Sequence, residues 1–301
     1  MKRRKRTSSY KRKKRIFLIF IPLVVLAVFI TAFIVKQNSD KKTAEKIMAS
    51  YDDADNEGVV QTLANLSIEK EQKQEKEKEE KEEKPPEAPE GKKVYLTFDD
   101  GPSIYTEEIL SILEKNDVKA TFFVIGKTDD HSKEMYKKIV EEGHTLAMHS
   151  YSHDYSLIYS SMKAFKEDFK KIEDLLTDVT GQKPKYYRFP GGSSNTVSKI
   201  DMKQCISYLN KKNITYFDWN VINGDAESSK TIPKDTLVKN VMTGVKNYET
   251  SVVLMHDANA KGTTVEALPE IIKKIKKQGA YILPIDESTK VVQHVKADSA
   301  D

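Results

Sequence analysis

The chain has 301 residues, a formal net charge of +4 and one cysteine, Cys205, which excludes a disulfide scaffold. Residues 1–15 carry ten Lys/Arg and no acid, residues 36–91 carry ten bases and sixteen acids, and residues 92–301 carry thirty of each. The positive surplus therefore belongs to a short tail, which excludes a nucleic-acid-binding surface spread over the folded part.

In chain order, the basic tail (1–15) is followed by IFLIFIPLVVLAVFITAFIV (16–35), twenty residues without a charge. At about 1.5 Å per helical residue this stretch spans about 30 Å, the hydrocarbon thickness of a bilayer, so it predicts a transmembrane helix. The cations before it predict a cytoplasmic N-terminus, a single-pass location in the cell membrane and an extracytoplasmic remainder. A cleaved signal peptide is the competing reading, but its apolar region is usually about 7–15 residues long. Residues 36–91 read as a charged stalk: Glu69–Lys84 has no apolar residue to bury, and Pro85–Gly91 breaks any helix.

From residue 92 onward, short apolar runs alternate with helical patterns. The strand-like runs are VYLTF (94–98), ATFFVIG (120–126), TLAM (145–148), KYYRF (185–189), ITYFDW (214–219), SVVLM (251–255) and AYILPI (280–285). Helical periodicity covers 106–115, 132–142, part of 161–180, 198–211, 234–247 and 264–277. This alternation predicts one parallel α/β domain over 92–301, and it does not separate an open sheet from a closed barrel.

Polar residues cluster where strands end. Asp99 and Asp100 follow the first run, His149 and His153 the third, Arg188 and Asp218 end the fourth and fifth, and His256 and Asp257 follow the sixth. In parallel α/β folds these ends share one rim, where ligand sites are built. His149-Ser-Tyr-Ser-His153 puts two imidazoles on one face if the turn is helical. Two His and a carboxylate suit a borderline divalent metal with open positions. The adjacent carboxylates of TFDDGPS (97–103) repel unless a cation or proton relieves them, so one Asp can complete the triad and the other stay free as a base. A turn and helix-cap pair is the bland reading of the same two residues.

Together TFDDGPS, HSYSH, RFPGG, the DW at 218–219 and LMH at 254–256 resemble the five ordered motifs of the polysaccharide deacetylase family (NodB homology, carbohydrate esterase family 4). The resemblance covers about Lys92 to Val291. It implies a distorted (β/α) barrel with one divalent metal, usually Zn2+, that removes N- or O-acetyl groups from a polysaccharide. It also implies metal ligands at Asp100, His149 and His153, a base at Asp99 held by Arg188, and an acid at His256 oriented by Asp218. The Gly191 N–H would hold the oxyanion, and Trp219 and Leu254 would wall the acetyl methyl group. Two positions depart from the pattern: Met148 stands where many relatives have Asn, and Gly191 where some have Tyr. The Gly191–Gly192 pair is therefore expected to open that side of the groove.

His131, His144 and Cys205 fit no motif and read as structural. Tyr151, Tyr155 and Tyr159 are assigned no role. The expected function is metal-dependent deacetylation of N-acetylglucosamine in cell-wall peptidoglycan, because the anchor and stalk would hold the domain beside that polymer. The same chemistry allows an acetylxylan esterase or a chitooligosaccharide deacetylase. A silent glycan-binding domain would be expected to lack a ligand, base or acid. A metal phosphoesterase would want a second metal.

Overall fold

Successive side chains of a strand point to opposite faces of its sheet, and this rule builds the domain. In β1 (Lys93–Asp99), Val94, Leu96 and Phe98 pack outward into the large core under the helices. Tyr95 faces the other way, into a smaller core with Phe123, Ala147, Tyr186 and Val252. The inward series continues through Thr97 to Asp99, so the apolar interior gives way to polar groups at the carboxyl end.

The computed structural model describes residues 90–300 apart from residue 229. The predicted basic tail, transmembrane helix and nearly all of the stalk lie outside the described residues. Among those described, no helix is long and apolar enough to cross a membrane.

The other strands are β2 (Thr121–Ile125), β3 (Thr145–Ser150), β4 (Tyr186–Tyr187), β5 (Thr215–Tyr216), β6 (Val221–Ile222), β7 (Thr250–His256) and β8 (Tyr281–Ile282). All pairings are parallel, in the order β5-β4-β3-β2-β1-β7-β6. β8 pairs with β1 only at Lys93 and Val94, below the point where β2 joins at Thr97. The end strands β5 and β6 are separated in the chain by residues 217–220 alone, so the sheet curls into a half-barrel with a seam between them. The C-terminal segment lies across that seam. The Asp218 N–H donates to the Val292 carbonyl at 2.8 Å, the Gln293 amide to the Tyr216 carbonyl at 3.1 Å, and the His294 N–H to the Asp218 carboxylate at 2.7 Å.

Among the described residues seven α-helices accompany the sheet: α1 (Thr106–Lys115), α2 (Asp130–Glu141), α3 (Tyr155–Ile158), α4 (Met162–Thr180), α5 (Met202–Lys211), α6 (Lys234–Val245) and α7 (Gly262–Lys277). The longest, α4, starts at an N-cap, Ser161, whose side chain accepts from the Ala164 N–H, and stops at Gly181 in the left-handed region. Its Phe165, Phe169, Ile172 and Leu176 form a stripe at helical spacing, all fully buried. Burial of each such side chain contributes about 1.5–3 kcal/mol before entropy is subtracted. Three described elements escape sequence periodicity: the two-residue β6, the single turn α3 and a 3-10 turn at Ala297–Ala300. The fourth, fifth and last apolar runs shrink to two-residue strands; residues after the first two of these turn to the site and the seam, and Pro284 has no N–H to continue the last.

Candidate metal and acid–base site

The inward-facing residues at the upper strand ends meet at the barrel mouth: Asp99 of β1, His149 of β3, Arg188 after β4, and Leu254 and His256 of β7. Each sits two or four residues above a member of the smaller core, Tyr95, Ala147, Tyr186 or Val252. Asp99 and His256 are neighbours across the β1–β7 pairing, and adjacent strands lie only about 4.8 Å apart.

Asp100 leaves β1 with φ +74°, an uncommon conformation for a residue with a side chain. Its Oδ1 approaches His153 Nε2 at 3.2 Å and His149 Nε2 at 3.6 Å. The ligand atoms of these three residues all lie within 4.8 Å of one another. Asp100 Oδ1 is buried without a hydrogen-bond partner, which is costly for a carboxylate unless a cation takes that place. The His149 Nδ1–H donates to the Arg188 carbonyl at 2.7 Å, which leaves a lone pair on Nε2. Burial, against the pull of Asp100, lowers the His149 pKa to about 3, so the ring is neutral, as a metal ligand must be. The residues present therefore fit one divalent cation.

The two His do not share a helical face. His149 is the penultimate residue of β3, and His153 lies in a loop at φ +51°. Asp168, on the buried side of α4, shapes that loop. Its carboxylate accepts from Ser150 Oγ and the Tyr151 N–H at 2.8 Å, the Ser152 N–H at 2.9 Å and Ser152 Oγ at 2.6 Å. Ser150 Oγ in turn accepts from the His153 N–H at 2.8 Å. Sequence reasoning missed Asp168, since an acid within a helix ordinarily reads as part of a solvated face.

Arg188 is 0 % exposed, and every contact fixes it. It donates to Asp99 Oδ1 and Thr97 Oγ1 at 2.7 Å and to the Phe217 and Asp218 carbonyls at 3.0 Å, with its guanidinium 4.1 Å from the centre of the Phe123 ring. Asp99 Oδ2 keeps free lone pairs and lies 3.9 Å from His149 Nε2. Burial raises the Asp99 pKa despite the opposing Arg188 charge, which makes it a stronger base.

Asp218 does not orient His256. Its carboxylate turns to the seam, accepting from the Ser193 N–H at 2.8 Å, Ser193 Oγ at 2.5 Å and the His294 N–H. His256 is held instead by Asp225, whose Oδ1 lies 2.7 Å from Nδ1 and whose Oδ2 accepts from the His256 N–H at 2.9 Å. The physical reason is register: β6 pairs Ile222 with Leu254, so the Asn223-Gly224-Asp225 turn arrives beside the end of β7, whereas Asp218 precedes β6 at the seam. Burial pulls the His256 pKa down, but the Asp225 bond and charge, with Asp99 and Asp100, outweigh it and the net shift is upward. The Asp225 carboxyl is lowered: burial opposes this, and the His256 bond and charge with the Thr264 and Asn223 bonds prevail. A carboxylate in an Asn-Gly-Asp turn behind a strand-like Val-Ile pair was the available signal.

The Gly191 amide belongs to a tight turn in which the Gly192 N–H donates to the Phe189 carbonyl at 2.7 Å. Pro190 precedes Gly191, whose φ of +76° suits the third position of a type II turn. The Pro190 carbonyl accepts from the Tyr159 hydroxyl at 2.9 Å, so the N–H of the same planar peptide points the other way. Trp219 is half-buried against the His294 ring, 5.0 Å between centroids, with Gly192 beside it. Leu254 is half-buried on the same strand face as His256. Contrary to the expected opening, Tyr155 and Trp219 fill the space beside Gly191 and Gly192.

The remaining singled-out residues are structural. Met148 packs outward in the large core. His144 accepts the Ala120 N–H on Nδ1 at 3.1 Å, and His131 is exposed. Cys205 is buried with its sulfur 3.8 Å from that of Met162.

Comparison with known proteins points the same way. Residues 87–208 match the family model described as polysaccharide deacetylase. The chain is 32% identical over 192 residues to a peptidoglycan-N-acetylglucosamine deacetylase of Bacillus cereus, covering 62% of this chain and 67% of that protein. Among solved structures, the catalytic domain of a peptidoglycan N-acetylglucosamine deacetylase from Eubacterium rectale is 40% identical with a TM-score of 0.66, over 69% of this chain and 94% of that one. A Streptococcus mutans CE4 esterase is 32% identical with a TM-score of 0.60, over 65% and 87%.

Proposed function

The chain belongs to the polysaccharide deacetylase family, and on that premise we propose that its site hydrolyses the acetyl group of N-acetylglucosamine in cell-wall peptidoglycan. One observation carries the reading: a base, Asp99, paired with the buried Arg188, and a half-buried acid, His256, paired with the buried Asp225, stand on the neighbouring strands β1 and β7 beside the Asp100–His149–His153 triad.

Asp100, His149 and His153 would hold one divalent ion, Zn2+ by its preference for nitrogen and oxygen donors with an open position. Once bound, it would supply Lewis acidity toward the acetyl carbonyl and make water more acidic. Asp99 Oδ2 takes the proton of the attacking water, while Arg188 keeps Oδ1 occupied and the carboxylate in one orientation. The water oxygen bonds to the carbonyl carbon, and the Gly191 N–H faces the oxygen on which charge develops. With Nδ1–H donated to Asp225, His256 presents the proton on Nε2 to the departing nitrogen as the C–N bond breaks. Acetate and a free amine result. Trp219 and Leu254 exclude water from the methyl side.

The predicted tail, anchor and stalk support peptidoglycan as the substrate, since they would place the domain outside the membrane beside the wall. The test uses the full chain loaded with zinc and incubated separately with peptidoglycan, chitin oligomers and acetylated xylan, with released acetate measured and Asp99→Asn as control. Acetate from peptidoglycan, lost in the variant, is the expected result. Acetate from xylan alone moves the activity to ester cleavage, and acetate from no substrate leaves a glycan-binding domain.

A further inference from the structure

Tyr155 stands between the metal-ligand side of the site and the turn that carries Gly191. It opens α3, and Asp154 fixes its backbone by accepting from the Ser156 N–H at 2.9 Å and the Leu157 N–H at 3.2 Å. One side of its ring meets His153 edge-on, 5.5 Å between centroids at 86°. Another side meets Tyr159, 6.1 Å away at 65°, whose hydroxyl anchors the Pro190 carbonyl. A Cβ on Gly191 would lie 3.0 Å from the Tyr155 Cε1 and 3.5 Å from its hydroxyl oxygen. Glycine at 191 therefore serves the turn and also lets the phenol approach.

Packing alone explains the ring but not the hydroxyl. Among the described residues no protein group pairs with it, although it is half-buried beside Gly191. A donor so placed, with no protein acceptor, is available to an acceptor atom of a bound molecule. We propose that the Tyr155 hydroxyl is a second hydrogen-bond donor to the acetyl carbonyl oxygen, acting beside the Gly191 N–H as negative charge builds there. The proposal rests on the deacetylase reading above. A fixed donor aimed at developing charge lowers the barrier more than it tightens substrate binding.

The test is Tyr155→Phe in the full chain loaded with zinc, since phenylalanine keeps the ring contacts and removes only the hydroxyl. The expected result on N-acetylglucosamine oligomers is a kcat about 10- to 100-fold lower with KM changed less than about threefold. Zinc affinity and the thermal midpoint stay unchanged. Calorimetric titration with acetate gives a readout independent of turnover, and a Kd raised about five- to tenfold in the variant is expected. An unchanged kcat overturns the proposal, and so does an effect confined to KM, which would make the hydroxyl a sugar contact. If the unmutated chain releases acetate from no N-acetylated glycan, the deacetylase reading fails. The acetate titration then decides the donor separately: a raised Kd supports it and an unchanged Kd overturns it.

Discussion

Replacing Asp225 with Asn tests the assignment of the acid's partner most directly. Asn has the shape of Asp and can still accept from the His256 N–H and from Thr264 Oγ1, which now donate to Oδ2 at 2.9 and 2.8 Å. Its Nδ2 would then face His256 Nδ1, so the ring must become an acceptor there and lose its positive charge. Burial, the largest influence on His256, would no longer be outweighed by the adjacent carboxylate. A hydrogen bond to a charged group is worth about 1.5–3 kcal/mol. At about 1.4 kcal/mol per factor of ten, that is roughly a 10- to 150-fold loss of kcat at pH 7. The sign with pH also follows. Under the proposed mechanism activity needs protonated His256 and falls as pH rises through its pKa, so the raised pKa extends activity upward and Asp225→Asn moves that alkaline limb to lower pH. Acetate release followed across pH 5–10 measures both effects. Asp218→Asn supplies the contrast: it weakens a buried acceptor of three bonds, costing about 1–3 kcal/mol of stability in urea unfolding, and leaves the alkaline limb where it was. A superimposable pH profile for Asp225→Asn, or a shifted one for Asp218→Asn, would refute the assignment.

Arg188→Gln leaves Asp99 buried without its cation and should destabilise the domain by about 3–5 kcal/mol, read from denaturant unfolding; a loss under about 1 kcal/mol contradicts the buried pair. Asp168→Asn should weaken zinc binding about 10- to 100-fold without touching the ion, because the loop carrying His153 loses its organiser. Competition with a chelating dye checks this, and unchanged affinity rejects the role. His144 stays neutral in the folded chain down to about pH 4, because burial lowers its pKa from the ordinary 6.5, with the Lys119 charge adding to the effect. The unfolded chain therefore binds more protons between those values. Its contribution is fully present above about pH 6.5, and up to about 3 kcal/mol is lost as pH falls to about 4. Unfolding at pH 7.5 and 4.5 should show this difference, and His144→Gln, which keeps an acceptor for the Ala120 N–H, should reduce it. An equal loss in that variant would place the titration elsewhere.

Local pattern in the sequence determined the parallel strand–helix alternation and much of the polar rim, but not the closure of the sheet into a half-barrel. Alternation in Tyr95–Thr97–Asp99 and Val252–Leu254–His256 already sends apolar residues inward below and titratable ones above, because strand side chains repeat every two residues. The same spacing puts Arg188 two residues after Tyr186, and two His with a carboxylate limit the chemistry available to them. What local pattern does not carry is which side chains meet across the barrel. Asp218 and Asp225 each follow a short apolar run, and although the Asn-Gly-Asp turn marks Asp225 as a strand-end carboxylate, neither run says which of the two meets His256. The choice fell to the pairing of β6 with β7, to the curl that sends residues 217–220 across the seam, and to a C-terminal segment that claims the Asp218 carboxylate. Asp168 and Tyr155 were hidden for the same reason. Their partners lie 16–18 and 36 positions away along the chain, and only the packing of α4 and α3 against the strand ends brings them together.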